Sequence, residues 1–106
     1  MIKSFADKRT REFFAGGRVP AFAAFVRQAE RRMTALETAQ TMRTLQALPS
    51  NRFEALGGDR LGQYSIRIND QWRICFRWAA KDGCDDRTDR LDLDGDAENV
   101  QITDYH

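Results

Sequence analysis

Residues 62–78 read GQYSIRINDQWRICFRW, two runs rich in β-branched and aromatic residues on either side of a polar Asn69-Asp70-Gln71. That pattern predicts a β-hairpin, and side-chain parity sets its register. A strand alternates faces with period two, so a sound pairing gathers apolar residues on one side and polar residues on the other. A two-residue loop would pair Ile66 with Arg73 and Arg67 with Trp72, mixing the faces. A three-residue loop at 69–71 instead pairs Ile68 with Trp72, Ile66 with Ile74 and Tyr64 with Phe76, giving one apolar face able to cover a core. A five-residue loop keeps the same parity.

The opposite face then carries Arg67 beside Arg73, with Arg77 further along. Two guanidiniums directly opposed on paired strands repel by a few tenths up to ~1 kcal/mol. A phosphate would make the arrangement useful, because the arginine fork matches phosphate oxygens bidentately. The alternative is a pair of solvated cations neutralised by Glu54, Asp59 or an acidic partner, and parity alone leaves both open.

With 106 residues the chain suits one small domain, 1–106, large enough for a core but with little to spare. At 42% hydrophobic and 31% charged residues it has a globular composition. No apolar run approaches the ~20 residues of a membrane span, and Met1 leads straight into IKSFADKR without a signal peptide, so a cytoplasmic protein with no membrane partner is expected. Cys75 falls mid-strand and Cys84 in a polar loop, with no Cys-x-x-Cys spacing and a single histidine. Unpaired thiols follow, with no metal site and no cofactor.

The net charge of +1 hides an asymmetry. Residues 81–98 hold eight acidic side chains against three basic ones, a balance of −5 that leaves +6 for the rest of the chain. The basic body suits a polyanion, and the acidic stretch does not. Asp92-Leu93-Asp94-Gly95-Asp96 resembles the start of a calcium loop, but an EF-hand beginning at Asp92 needs Gly where Ala97 stands and Glu where Thr103 stands. Residues 81–98 are therefore expected to form an extended, solvated acidic hairpin loop.

Around the hairpin, residues 2–5 predict a short opening strand, and Asp7 predicts the N-cap of a helix over 8–15 that Gly16-Gly17 stops. Phe22, Phe25, Val26, Ala29, Met33 and Leu36 recur at steps of three and four behind Pro20. They predict a core-facing helix to about Ala39, continuing with a bend through Met42 and Leu45 until Pro49. Residues 49–62 are turn-rich, with Phe53 and Leu56 as anchors, and carry Arg52 and Arg60 into the hairpin. A last strand over 99–105, in which Val100 and Ile102 alternate with polar residues, brings Asp104, Tyr105 and His106 to a sheet end.

IKSF at the start, GDRLGQYSIRINDQWRICFRW in the middle and VQITDYH at the end resemble HigB-type toxins of the RelE/ParE toxin-antitoxin superfamily, over nearly the whole chain except about residues 81–98, which against that family look like an acidic loop insertion. The resemblance implies a RelE-like α+β fold, with an N-terminal strand and two to three helices packed on a mostly antiparallel sheet. It implies a toxin of a type II toxin-antitoxin system that cleaves messenger RNA on the ribosome and so inhibits translation. Its partners would be the 70S ribosome with its mRNA and a HigA-type helix-turn-helix antitoxin, operator DNA being reached only through the antitoxin complex. The matching catalytic positions are Arg73, Asp104, Tyr105 and His106, while a histidine and a lysine of well-studied relatives are Glu54 and Gly57 here.

RNA supplies its own nucleophile, the 2′-hydroxyl, so an enzyme needs a base, an acid for the leaving 5′-oxygen and cations for the developing charge, and no metal. Arg73 would stabilise the phosphate, helped by Arg67 or Arg60, with Arg52 and Arg77 as further phosphate contacts. His106 would serve as general acid or base, its ordinary pKa of ~6.5 suiting both duties. Asp104 would orient His106 or act as a base, and Tyr105 would stack on a base or assist proton transfer. Two other readings remain: a catalytically weak or inactive homologue that binds the ribosome or its antitoxin as a corepressor, and a gyrase poison of the ParE kind, against which Asp104-Tyr105-His106 argues.

Overall fold

The structure, a computed structural model, describes residues 1–81 and 88–104. Four antiparallel strands follow one another as a meander in the order β1 (Glu54–Ala55), β2 (Tyr64–Arg67), β3 (Arg73–Ala80) and β4 (Gly95–Thr103). Tyr64 pairs with Phe76, Ile66 with Ile74 and Arg67 with Arg73, the register expected from parity. Asn69 makes the turn: its Oδ1 accepts the backbone N–H of Gln71 at 2.9 Å and of Trp72 at 2.8 Å, the local bonding that suits asparagine to such positions.

Three helices cover the apolar face: α1 (Lys8–Phe14), α2 (Val26–Thr38) and α3 (Met42–Gln46). Asp7 caps α1 by accepting the Thr10 N–H at 2.9 Å, and the buried Thr10 hydroxyl in turn accepts the N–H of Ile102 at 3.0 Å, docking α1 on β4. The core joins Phe22, Phe25, Ala29, Met33, Leu36, Met42 and Leu45 from the helical side to Ile66, Ile74, Phe76, Trp78, Val100 and Ile102 from the sheet. Apart from Trp78, these are residues expected to be apolar and core-facing from the helical stripe and its continuation, the hairpin parity and the alternation of the last strand; Val26, on the same stripe, is half-buried.

Several boundaries differ from expectation, among them β1, which falls in the stretch 49–62 expected to be turns. The single helix expected from Pro20 is a 3-10 turn, Pro20–Phe25, followed by α2. Phe22 and Phe25 are both buried, and three residues per turn stack that i, i+3 pair on one side better than an α-helix does. The bent continuation is a separate helix, because Ala39 is extended (ψ 128°) before α3 begins. The opening strand is reduced to two parallel bridges onto β4, Ile2 to Ala97 and Phe5 to Val100, which nonetheless occupy the outer edge of that strand.

The largest correction concerns residues 81–98. β4 starts at Gly95, not Asn99, and a 3-10 turn, Arg90–Asp92, precedes it. A bulge hides the early start: Cys75 pairs with Gln101 but Arg77 with Glu98, so Asn99 and Val100 together face Phe76. Asn99 sits at φ +51°, and the extra residue puts Ala97 and Val100 on the same buried face although they are three apart. Nor is the described part of the stretch a free solvated loop. Arg43 of α3 holds it, with Nε 3.0 Å from Asp92 Oδ1 and Nη2 3.2 Å from Asp89 Oδ2, while Arg90 donates to the Trp78 carbonyl at 2.6 Å and the Tyr64 hydroxyl at 3.1 Å. Residues 82–87, Cys84 among them, lie outside the described residues.

Candidate active site

The sheet face away from the helices carries the arginines. Arg67 ends β2 and Arg73 begins β3 directly opposite, so both stand at the turn end of the hairpin. Across β3, Arg73 pairs with Thr103, the last residue of β4, and Asp104 follows it. One end of the sheet therefore gathers Arg67, Arg73, Asp104 and the 69–71 turn, and Gln71 Nε2 donates to Asp104 Oδ2 at 3.3 Å.

Arg73 is the most constrained of these side chains, only 16% exposed. Its Nε–H donates to Ser65 Oγ at 2.9 Å and its Nη2 to the carbonyl of Arg52 at 2.6 Å. Glu54 Oε1 lies 3.9 Å from the same Nη2, close enough for charge attraction but too long for a hydrogen bond. Nη1 makes no hydrogen bond among the described residues. Arg67 pairs with Asp70 of the turn, and its carbonyl accepts Arg32 Nε at 2.9 Å, tying the hairpin end to α2.

Of the other expected cations, Arg77 stands on a strand of the sheet, while Arg60 and Arg52 lie in the connections before β2. Arg60 is half-buried and donates to Gln63 Oε1 at 3.1 Å. Arg77 is exposed, four residues or about 13 Å along β3 from Arg73. Its Nη1 lies 2.8 Å from where a Cβ on Gly62 would stand, so the glycine makes room for it. Arg52 enters in an unexpected way, through its carbonyl, while its side chain is exposed. Cys75 is buried beneath this face, and burial pushes its thiol up to about 11 despite the opposing pull of the Arg60 and Arg73 charges. Tyr105 and His106 lie outside the described residues, and their roles stay expectations.

Ser65 and Gln71 did not figure among the expected site residues. Ser65 was open to parity: it sits on the arginine face, diagonal to Arg73, within reach of a long side chain. Gln71 shares the turn with Asn69 and carries no distinguishing pattern, so only the fold brings it to Asp104.

Comparison with known proteins agrees with this architecture. A chain of the YoeB/ParE toxin from Agrobacterium tumefaciens superposes with a TM-score of 0.53 at 16% identity, over 99% of this chain and 98% of that one, a likeness of fold. Toxin HigB-1 of Vibrio cholerae serotype O1 is 44% identical over 48 residues, 45% of this chain, and the match spans half the length of that relative. The profile described as "RelE-like toxin of type II toxin-antitoxin system HigB" matches residues 3–90. With most of the chain covered by that profile, this protein belongs to the HigB-like family of type II toxin-antitoxin toxins.

Proposed function

We propose that this toxin is a ribosome-dependent endoribonuclease that cuts translated messages through the RNA 2′-hydroxyl. The observation that carries the reading is Arg73: a guanidinium held from two sides, with one edge unmatched among the described residues, at the sheet end where Asp104 leads into Tyr105-His106. In the reaction the 2′-oxygen attacks the adjacent phosphorus, a base takes its proton, and the 5′-oxygen leaves as it gains one. Arg73 offsets the charge gathering on the phosphoryl oxygens. His106 and Asp104 divide the proton transfers, Tyr105 stacks on a base, and Arg67, Arg60, Arg52 and Arg77 follow the phosphates. No metal enters the scheme. The chain acts as one domain in the cytoplasm, and a HigA-type helix-turn-helix antitoxin neutralises it and carries the pair to operator DNA.

The test is a purified system of 70S ribosomes and message, read by primer extension. The wild type yields cuts within codons, and Arg73→Ala yields none while keeping its melting temperature. Unchanged cutting by that variant would remove Arg73 from the mechanism.

A second reading has one observation in its favour. The Glu54 carboxylate 3.9 Å from Arg73 competes with any phosphate for the same charge. In that reading the toxin binds the ribosome or its antitoxin without cutting, and the same assay returns a stable complex with intact message.

A further inference from the structure

Arg52 is one of two described non-glycine residues with positive φ, at +43°, the other being Asn99. Asparagine tolerates this region through its short polar side chain, whereas an arginine gains nothing local from it. The surroundings hold it there. Arg52 closes the 3-10 turn Pro49–Asn51 and donates its N–H to the Pro49 carbonyl at 3.1 Å. Asn51 is fully buried; its N–H donates to Leu48 O at 3.0 Å, at the start of its own 3-10 turn, and its Nδ2 donates to Leu45 O of α3 at 2.9 Å. Arg32 of α2 holds the same turn by donating to the Ser50 carbonyl at 3.3 Å.

The left-handed bend at Arg52 is what turns its carbonyl toward Arg73. A guanidinium is planar, so acceptors at Nε and Nη2 together define both its plane and its rotation. Ser65 and the Arg52 carbonyl supply those two acceptors. We infer that Arg52 is a positioning residue acting through its main chain: its left-handed backbone, anchored by Asn51, sets the carbonyl that orients the Arg73 guanidinium together with Ser65. The inference rests on the reading of Arg73 as the phosphate-holding group.

Arg52→Gly and Arg52→Val separate backbone from side chain. Both remove the same positive charge, so any lost RNA contact is common to the two, but glycine adopts φ +43° freely and valine does not. Single-turnover cleavage on saturating ribosome complex is expected to be up to about 100-fold slower in Arg52→Val than in Arg52→Gly, the scale of a small misplacement of a catalytic group. The half-saturating concentration is expected to be the same in both. A second readout needs no cleavage: the Arg73 Nε–H NMR resonance, identified by its absence in Arg73→Lys. It is expected to stay dispersed and slow to exchange in wild type and Arg52→Gly, and to move to the position of a free arginine in Arg52→Val and in Ser65→Ala. If the valine variant does not fold, Arg52→Ala, with a milder penalty at this φ, takes its place. Equal rates in the Gly and Val variants, or an unmoved resonance in a folded Arg52→Val or Arg52→Ala, overturns the inference. A wild type that cuts no message would refute the nuclease reading, and the resonance comparison would still decide the positioning.

Discussion

Arg67 and Arg73 face each other across β2 and β3, and each is matched by a different carboxylate, Asp70 in the turn for Arg67 and Glu54 of β1 for Arg73. Two like charges at a paired position are thus tolerated because each has its own counter-charge on the sheet's polar face. The same arrangement ties the stability of the hairpin end to its affinity for anions.

Glu54→Gln should move those two properties in opposite directions. Glu54 is 57% exposed, so its loss should lower stability only by the ~0.2–1 kcal/mol typical of surface pairs. Freed from the carboxylate, Arg73 should bind message on the ribosome more tightly, by up to about 5-fold on the same scale. Thermal unfolding and ribosome-binding titrations measure both, and a parallel loss of both would show that Glu54 helps to build the site.

Arg43 should show its clamp through pH. Its guanidinium hydrogen-bonds Asp92 and holds that carboxyl below its ordinary value of 3.8, while Asp92 raises Arg43 in return. A depressed carboxyl contributes stability that is present above its unfolded pKa and lost as pH falls through the folded one. The melting-temperature gap between wild type and Arg43→Ala should therefore be full at pH 7 and narrow below about pH 4, and it should narrow also near 1 M salt, where screening reaches about 3 Å. A gap independent of both would mean that Arg43 acts through packing alone.

Gly95→Ala should destabilise the β3–β4 pair. A Cβ there would stand 2.5 Å from both the Ala79 carbonyl oxygen and Trp78 Nε1, the indole nitrogen that donates to Leu93 O at 3.1 Å. Overpacking of this kind costs ~1–3 kcal/mol. Urea unfolding should show the free energy of unfolding falling by that amount and the midpoint moving down with it; an unchanged midpoint would contradict the close approach.

Cys75 should make stability fall in alkali. Burial lifts its thiol from 9.0 to about 11. The contribution is fully present below pH 9 and is lost as pH rises from 9 to 11, because the unfolded chain ionises first. Two units correspond to roughly 2–3 kcal/mol at most. Alkylation at pH 8, mapped by peptide mass to distinguish Cys75 from Cys84, should spare Cys75 until the chain is unfolded, since the thiolate is the reactive form. Rapid native labelling of Cys75 would contradict its burial.

The hairpin register was legible because one wrong step would have mixed Ile66 and Arg73 on a face, and the physics of a half-buried sheet forbids that. The helical stripe was legible for the same reason, although its period could not distinguish the 3-10 turn at Pro20–Phe25 from the α-helix that follows. The start of β4 was hidden by the bulge at Asn99, which breaks alternation where a reader looks for it to continue. At the site, parity placed Arg73 opposite Arg67, and only the family resemblance gave it a catalytic role. The carbonyl that holds it could not be picked out, because every residue has one and only the left-handed backbone at Arg52 aims it.

The measurement that bears most directly on the central claim is primer extension on a ribosome-bound message with wild-type protein and with Arg73→Ala. Cuts within codons that vanish in the folded variant are the predicted result. Arrested translation with an intact message, or cuts that persist without the Arg73 guanidinium, would contradict the account.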